Sequence, residues 1–376
     1  MSAPTSFNEF IGNESAVEHL RASIAADRLP HSMILGGPSG SGKYTLALML
    51  AMSLNCELKP RESSASGQPL ASFCGQCSHC LRIAESQQLD ARIEEAVTAR
   101  EDLRETDRKE TRILIQTHPD VLVIPPDPPQ LLIKLGQIRS LIGSIYRQPQ
   151  ATERLVYIIT SSSFMKEAAN SLLKVLEEPP AYAHIILLSD NPGELLPTIR
   201  SRCALVRLGA VPPSHLEPLL AERHADWKPA HRALVARLSD GAVGRALGFD
   251  LAVYTAARQD ALILLRSAVG EGDHTSLFRM TETYRAGAEG QQKTNAMLSA
   301  LAGLLEDILF LSSGTPELLR NIDIRPELQT LADATNFAWM ENAVRGFDQV
   351  KSGMRRNLLR SLSLDAFADQ LSLPRR

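Results

Sequence analysis

Aromatic residues make up only 5% of the 376-residue chain, no stretch combines them with a run of bases, and the formal net charge is −3. These shortages argue against a free-standing nucleic-acid-binding module, which would need a basic field and stacking side chains. Long apolar runs are missing too. The most apolar stretch, AMLSALAGLLEDILFL, is broken by Glu306 and Asp307, so it is too short and too charged to span a bilayer. The N-terminal MSAPTSFNEF has neither the basic n-region nor the apolar h-region of a signal peptide. A cytosolic protein without a membrane partner is therefore expected, and its five cysteines are read as thiols or metal ligands before disulfides. What remains, 44% apolar and 22% charged, is ordinary for a soluble chain of two or three domains.

Residues 14–28 read as a helix with Ala16, Leu20, Ile24 and Ala25 on one face. HSMILGG then suits a buried parallel strand stopping at a tight turn, and KYTLALMLAMSL (43–54) a helix buried on most sides. Apolar runs follow at 121–124, 155–159, 184–188 and 203–208. Helical patterns separate them at 134–147 and in MKEAANSLLKVLEEPP, where Ala169, Leu172, Leu173 and Leu176 share a face and Pro179-Pro180 stop the helix. Strands alternating with helices predict an α/β domain, a parallel sheet covered on both faces, over 1–209. From Pro212-Pro213 onward only helical periodicity remains. It predicts a small helical domain at 210–250 and a larger all-helical one at 251–376. Residues 90–112, with eight acids and six bases, read as a solvated helix or a partly disordered insertion.

GGPSGSGKYT (36–45) has the form of a phosphate-binding loop between a strand and a helix. Gly37, Pro38, Gly40, Ser41 and Gly42 would turn backbone N–H groups toward an anion, and Lys43 would reach the β and γ phosphates. A coincidental glycine-rich turn is the competing reading. Hydrolysis needs more: a hydroxyl directly after the lysine and a carboxylate at the end of a later strand, both for magnesium. The chain has Tyr44 after the lysine, with Thr45 one residue too late. After LVYII come Thr160 and Ser161 where an acid is needed. These hydroxyls titrate too high to serve as a base, and they are expected to cap the next helix. ATP or ADP binding therefore remains expected, but magnesium-dependent hydrolysis does not.

Cys56, Cys74, Cys77 and Cys80 form the second constellation, a C-x2-C-x2-C run with a fourth cysteine before it across seventeen intervening residues. The intervening Pro-, Ser- and Gly-rich segment can loop back. Four thiolates at this spacing suit a closed tetrahedral zinc site, structural because no coordination position stays open. An iron–sulfur cluster also takes four cysteines, and unliganded thiols are the third possibility. His79 could compete as a ligand. Cys203 reads as a buried free thiol.

The segments DRLPHSMILGGPSGSGKYTLA, the four cysteines, THPDVLVI, NSLLKVLEEPP and LLPTIRSRC occur in that order. Together they resemble the bacterial clamp-loader ATPase family of the AAA+ class, over residues 7 to about 250. The resemblance implies an AAA+ P-loop domain over 1–209 with a zinc module inserted at 56–80, a small helical lid at 210–250 and a helical collar at 251–376 that oligomerises. It also implies that Arg202, otherwise an exposed helix-end arginine, is an arginine finger acting in trans on a neighbour's ATP. Arg245 matches the family's second sensor arginine and Ser189 its first sensor position. Two subunit types carry these motifs, the ATP-hydrolysing gamma/tau motors and the delta-prime type with a degraded site. The departures at Tyr44 and at Thr160-Ser161 resemble the delta-prime type. This implies gamma/tau and delta subunits as partners, with the beta sliding clamp and primed DNA reached through the assembled complex. It also implies a place at the replisome as part of the DNA polymerase III holoenzyme, with no ATPase activity alone. The remaining alternative is a motor subunit with a variant site.

Overall fold

The computed structural model describes residues 4–270, 274–284, 288–355 and 360–372. They divide into two compact units, one built from the chain up to Pro212 together with Gly241–Arg245, the other from Pro213–Asp240 and the chain from Ala246 onward.

The first unit is an α/β sheet domain. In chain order it runs α1 (Glu14–Ala25), β1 (Ser32–Gly36), α2 (Lys43–Asn55), β2 (Arg61–Ser63), β3 (Pro69–Ala71), α3 (Ser78–Ala84), α4 (Leu89–Glu101), α5 (Glu105–Glu110), β4 (Ile115–His118), β5 (Val121–Ile124), α6 (Leu135–Ile145), β6 (Leu155–Ile159), α7 (Lys166–Glu177), β7 (Ala183–Ser189), α8 (Pro197–Arg200) and β8 (Ala204–Arg207). Six strands form one sheet in the order β4-β5-β6-β7-β1-β8, parallel except where β4 runs against β5. The strands' side chains alternate between two cores. Met33, Leu35, Val156, Ile158, Ile186 and Leu188 face the core that holds α2. Ile34, Tyr157, Ile159, Ile185 and Leu187 face the one that holds α6 and α7. Burial on both faces explains why these strands read as unbroken apolar runs.

Two differences from the sequence reading have physical causes. The buried face of α1 centres on Val17, Leu20 and Arg21 and the helix ends at Ala25, because Asp27 turns into the left-handed region at φ 52°. Strand β4 and the β2–β3 hairpin are absent from the sequence reading, being short, polar or at an edge. The 90–112 insertion forms α4, which buries no side chain, and α5. Arg100 ties it to the loop after β5, donating to the buried carboxylate of Asp127 at 2.6 Å and to the Pro128 carbonyl at 3.4 Å.

The histidines that open β1 and β7 stack, His31 on His184, with ring centroids 5.1 Å apart. Each Nδ1–H donates across to the other segment's backbone, His31 to the Ala183 carbonyl at 3.0 Å and His184 to that of Pro30 at 3.2 Å. Asp120, in THPD, accepts backbone N–H bonds from Gln150, Ala151 and Thr152 and so holds the turn before β6.

The second unit is helical among its described residues: α9 (Pro213–Arg223), α10 (Pro229–Leu238), the end of α11 (Val243–Leu247), α12 (Leu251–Ala268), α13 (His274–Thr281), α14 (Ala288–Ser312), α15 (Arg325–Ala334), α16 (Phe337–Arg355) and α17 (Arg360–Gln370). Within α14, Gly290–Ser312 is long and apolar enough to cross a membrane by length and composition. Here it is the spine of a helical core, with Leu301, Leu304 and Ile308 fully buried. Asp307, the acid that breaks its apolar run, is fully buried and accepts from the backbone N–H groups of Arg320 and Asn321. Asn321 in turn accepts from Tyr254 and Arg258, and Arg258 grips Asp323 with two 2.7 Å bonds.

Candidate phosphate loop, cysteine cluster and surface arginine

Strand β1, the loop and α2 take the strand–turn–helix form that a phosphate cradle requires. Gly40 and Gly42 lie at φ 79° and 86°, where side chains are strained. The glycines are also demanded by neighbours. A Cβ at Gly37 would lie 2.6 Å from the Leu208 carbonyl, at Gly40 2.9 Å from the Arg245 nitrogen, and at Gly42 2.8 Å from the Phe10 ring. The Gly244 N–H donates to the Gly40 carbonyl at 2.8 Å, so Gly241–Arg245 straps the loop and Arg245 lies against it. Arg245 itself is exposed.

Lys43 is buried inside its own loop. Its ammonium donates to the Gly37 and Pro38 carbonyls at 2.6 and 2.7 Å, lies 3.5 Å from the Ser41 hydroxyl, and pairs with the Asp190 carboxylate at 2.8 Å. Asp190 follows β7 directly and was not singled out from the sequence. Tyr44 points away from the loop and donates to the Ser86 carbonyl at 2.6 Å. Burial, with a contribution from Asp90, pushes its phenol well above its ordinary range, so it stays a neutral donor. The Thr45 hydroxyl accepts from Gln87 at 3.4 Å.

Thr160 and Ser161 follow β6, half-buried. The expectation that they cap the next helix needs correction. Ser161 Oγ accepts from the Ser163 N–H at 3.1 Å and closes a local turn, while α7 starts only at Lys166, behind Met165, which makes no side-chain cap. The hydroxyl lies too early in the chain to reach the helix's first N–H groups. Ser189, at the end of β7, is buried, and its hydroxyl has no hydrogen-bond partner.

The ligand atoms of Cys56, Cys74, Cys77 and Cys80 lie within 4.8 Å of one another, and all four thiols are free. A zinc–sulfur bond of about 2.3 Å implies sulfur–sulfur edges of about 3.8 Å, close to this spacing. Backbone N–H groups already point at the sulfurs, Cys74 at Cys56 Sγ at 3.4 Å and Cys77 at Cys74 Sγ at 3.3 Å. Such bonds favour thiolates. Burial alone would push Cys74 up, but the N–H groups of Gln76 and Cys77 prevail and bring it down to about 7. Burial pushes Cys56 and Cys80 up, so their ionisation would need the charge of a bound metal. The donor set fits zinc.

His79 is held out of the cluster by a chain of hydrogen bonds. His118 Nδ1 accepts from the Asp120 N–H at 3.1 Å, which places the His118 proton on Nε2, and that proton is donated to His79 Nδ1 at 2.8 Å. His79 Nε2 then faces Glu57 at 3.5 Å. Cys203 is partly buried, and burial pushes its thiol up to about 12, as suits an inert side chain.

Arg202 sits just after α8, about a third exposed. Its Nε donates to Glu177 at 2.6 Å and its Nη1 to the Thr198 carbonyl at 2.9 Å, while its Nη2 also meets Glu177. These bonds hold the guanidinium in place on the surface. The phosphate loop, its strap and Asp190 form one locality. Arg202, bonded to Glu177 and Thr198, and the cysteine cluster make their contacts with other residues.

The family model described as DNA polymerase III, delta subunit, matches residues 12–212, more than half of the chain. DNA polymerase III subunit tau of Salmonella typhimurium is 26% identical over 309 residues, 81% of this chain and 37% of that protein. Subunit delta' of Pseudomonas aeruginosa is 32% identical over 174 residues, 46% of this chain and 41% of that protein. Subunit delta' of Bacillus subtilis is 30% identical over 219 residues, 58% of this chain and 53% of that protein. The chain thus spans between about a third and a half of the length of these relatives. With its phosphate-loop sheet domain covered by the family model, the chain belongs to the DNA polymerase III delta-subunit family and is a bacterial clamp-loader AAA+ subunit.

Proposed function

We propose that the chain is a delta-prime-type subunit, a non-hydrolysing member of the complex that opens the sliding clamp and places it on primed DNA. In this reading it assembles with gamma/tau and delta subunits at the cytoplasmic replisome, meets the beta clamp and DNA through the complex, and lends Arg202 to a neighbour's ATP. Zinc at Cys56, Cys74, Cys77 and Cys80 holds its inserted module, residues 210–250 serve as a lid, and 251–376 serve as a collar. The observation that carries the reading is Tyr44: where magnesium needs a hydroxyl, the phenol is turned away and spent on the Ser86 carbonyl. Thr160 and Ser161, in place of a carboxylate, support the same conclusion.

Arg202→Ala in the reconstituted complex should lower ATP turnover by at least tenfold while zinc content and assembly stay intact, because a guanidinium supplied in trans is worth far more than that. Unchanged turnover in an assembled complex would remove the finger role. The tau relative, which matches over more of the chain than the delta' relatives, favours the motor alternative. Lys43-dependent ATP turnover by the purified chain alone would establish that alternative instead.

A further inference from the structure

We propose that Asp190 is a built-in anion that occupies the phosphate loop's lysine and sets the chain's affinity for nucleoside polyphosphates. An ammonium has three N–H bonds to give. Those of Lys43 go to the Gly37 carbonyl, the Pro38 carbonyl and the Asp190 carboxylate at 2.6, 2.7 and 2.8 Å. The side chain of Lys43 is only 8% exposed, so its charge has little other outlet, whereas that of Asp190 is 64% exposed and reaches in from solvent. Its backbone is fixed on both sides. Ser189 before it is in register with Gly36, and Asn191 after it accepts the Gly193 N–H at 3.0 Å and caps a short turn. The Ser189 carbonyl also accepts the N–H of Gly37, the loop's first donor, at 3.1 Å.

A phosphate entering the loop must therefore take Lys43 from a carboxylate already in place, and it meets that carboxylate's negative charge as it does so. Repulsion of this kind is how a site rejects a ligand that its shape would admit. The proposal deepens the reading of a non-hydrolysing subunit and rests on it. Tyr44 bears on magnesium and turnover, and Asp190 bears on whether the polyphosphate binds at all.

The test is calorimetric titration of the purified full chain with ADP, and separately with pyrophosphate, in the absence of magnesium. Asp190→Asn keeps the size and a hydrogen-bonding oxygen but removes the charge, and it should bind both probes at least tenfold more tightly than the unsubstituted chain. Adding Lys43→Ala to Asp190→Asn should abolish the gain. Gain for ADP but not pyrophosphate would move the effect to the nucleoside and overturn the proposal, as would equal affinity with and without Asp190. Asp190→Ser serves as a second charge-removing variant, with folding checked by circular dichroism. Equal affinities would leave the Arg202 reading intact, because that is read from the complex's ATPase. Turnover by the unsubstituted chain alone would instead sink the proposed function.

Discussion

At the scale of single residues, the structure separates side chains that work in isolation from those that work through a distant partner. Gly40→Ala should destabilise the first unit by about 1–3 kcal/mol, since it adds a Cβ at positive φ and drives it toward the Arg245 nitrogen. Chemical denaturation checks this, and a change within error would mean the loop is free to shift. His184 gives a pH prediction. Burial brings its folded-state value down to about 4, with His31 and Arg154 pushing the same way and Asp27 and the Pro30 carbonyl opposing. The unfolded chain takes up this proton near its ordinary value of about 6.5, while the folded chain refuses it until about pH 4. Stability is therefore fully present above about 6.5 and drains as pH falls toward 4, by on the order of 1 kcal/mol per pH unit from this group. Urea titrations across that window should show the slope, and His184→Asn should flatten it. Lys43 and the four cysteines were legible in the sequence because each motif is local. Asp190 and Asp120 were not, because each acquires its meaning from a partner far along the chain.

At the scale of elements, α2 shows most of what pattern reading can and cannot recover. Its apolar character all round announced burial, and every residue from Leu46 to Asn55 is indeed buried. The alternating faces of β1, β6 and β7 could not be read, because strands covered on both sides lose the polar beat that marks a face. The β2–β3 hairpin and β4 escaped notice for the opposite reason, having too few apolar residues to register. The inserted module hangs from the end of α2, where Cys56 follows Asn55 and packs with Cys80 into the α2 core. Zinc analysis should find one ion per chain. Cys80→Ser should lower that content and the thermal midpoint together, because a structural zinc site contributes folding free energy directly. An unchanged midpoint with the metal lost would detach the cluster from the stability of the sheet domain.

At the scale of the whole molecule, two compact units with separate cores predict melting that a single two-state transition does not describe. Asp307→Ala should lower one calorimetric transition by several degrees, because it strips acceptors from the buried backbone N–H groups of Arg320 and Asn321. Cys80→Ser should lower the other, and a variant that moves both equally would show that the units unfold as one. The phosphate loop has a longer-range consequence. Phe10, Leu208 and Arg245, spread across more than two hundred positions, all close on its glycines. Substitution at these glycines is barred by atoms of the chain itself, whatever else the loop meets. A lineage carrying this fold can abandon nucleotide altogether and still pass on the glycine pattern unaltered. The spelling of the loop therefore records a steric requirement of the fold, and the glycines by themselves do not report what the loop binds.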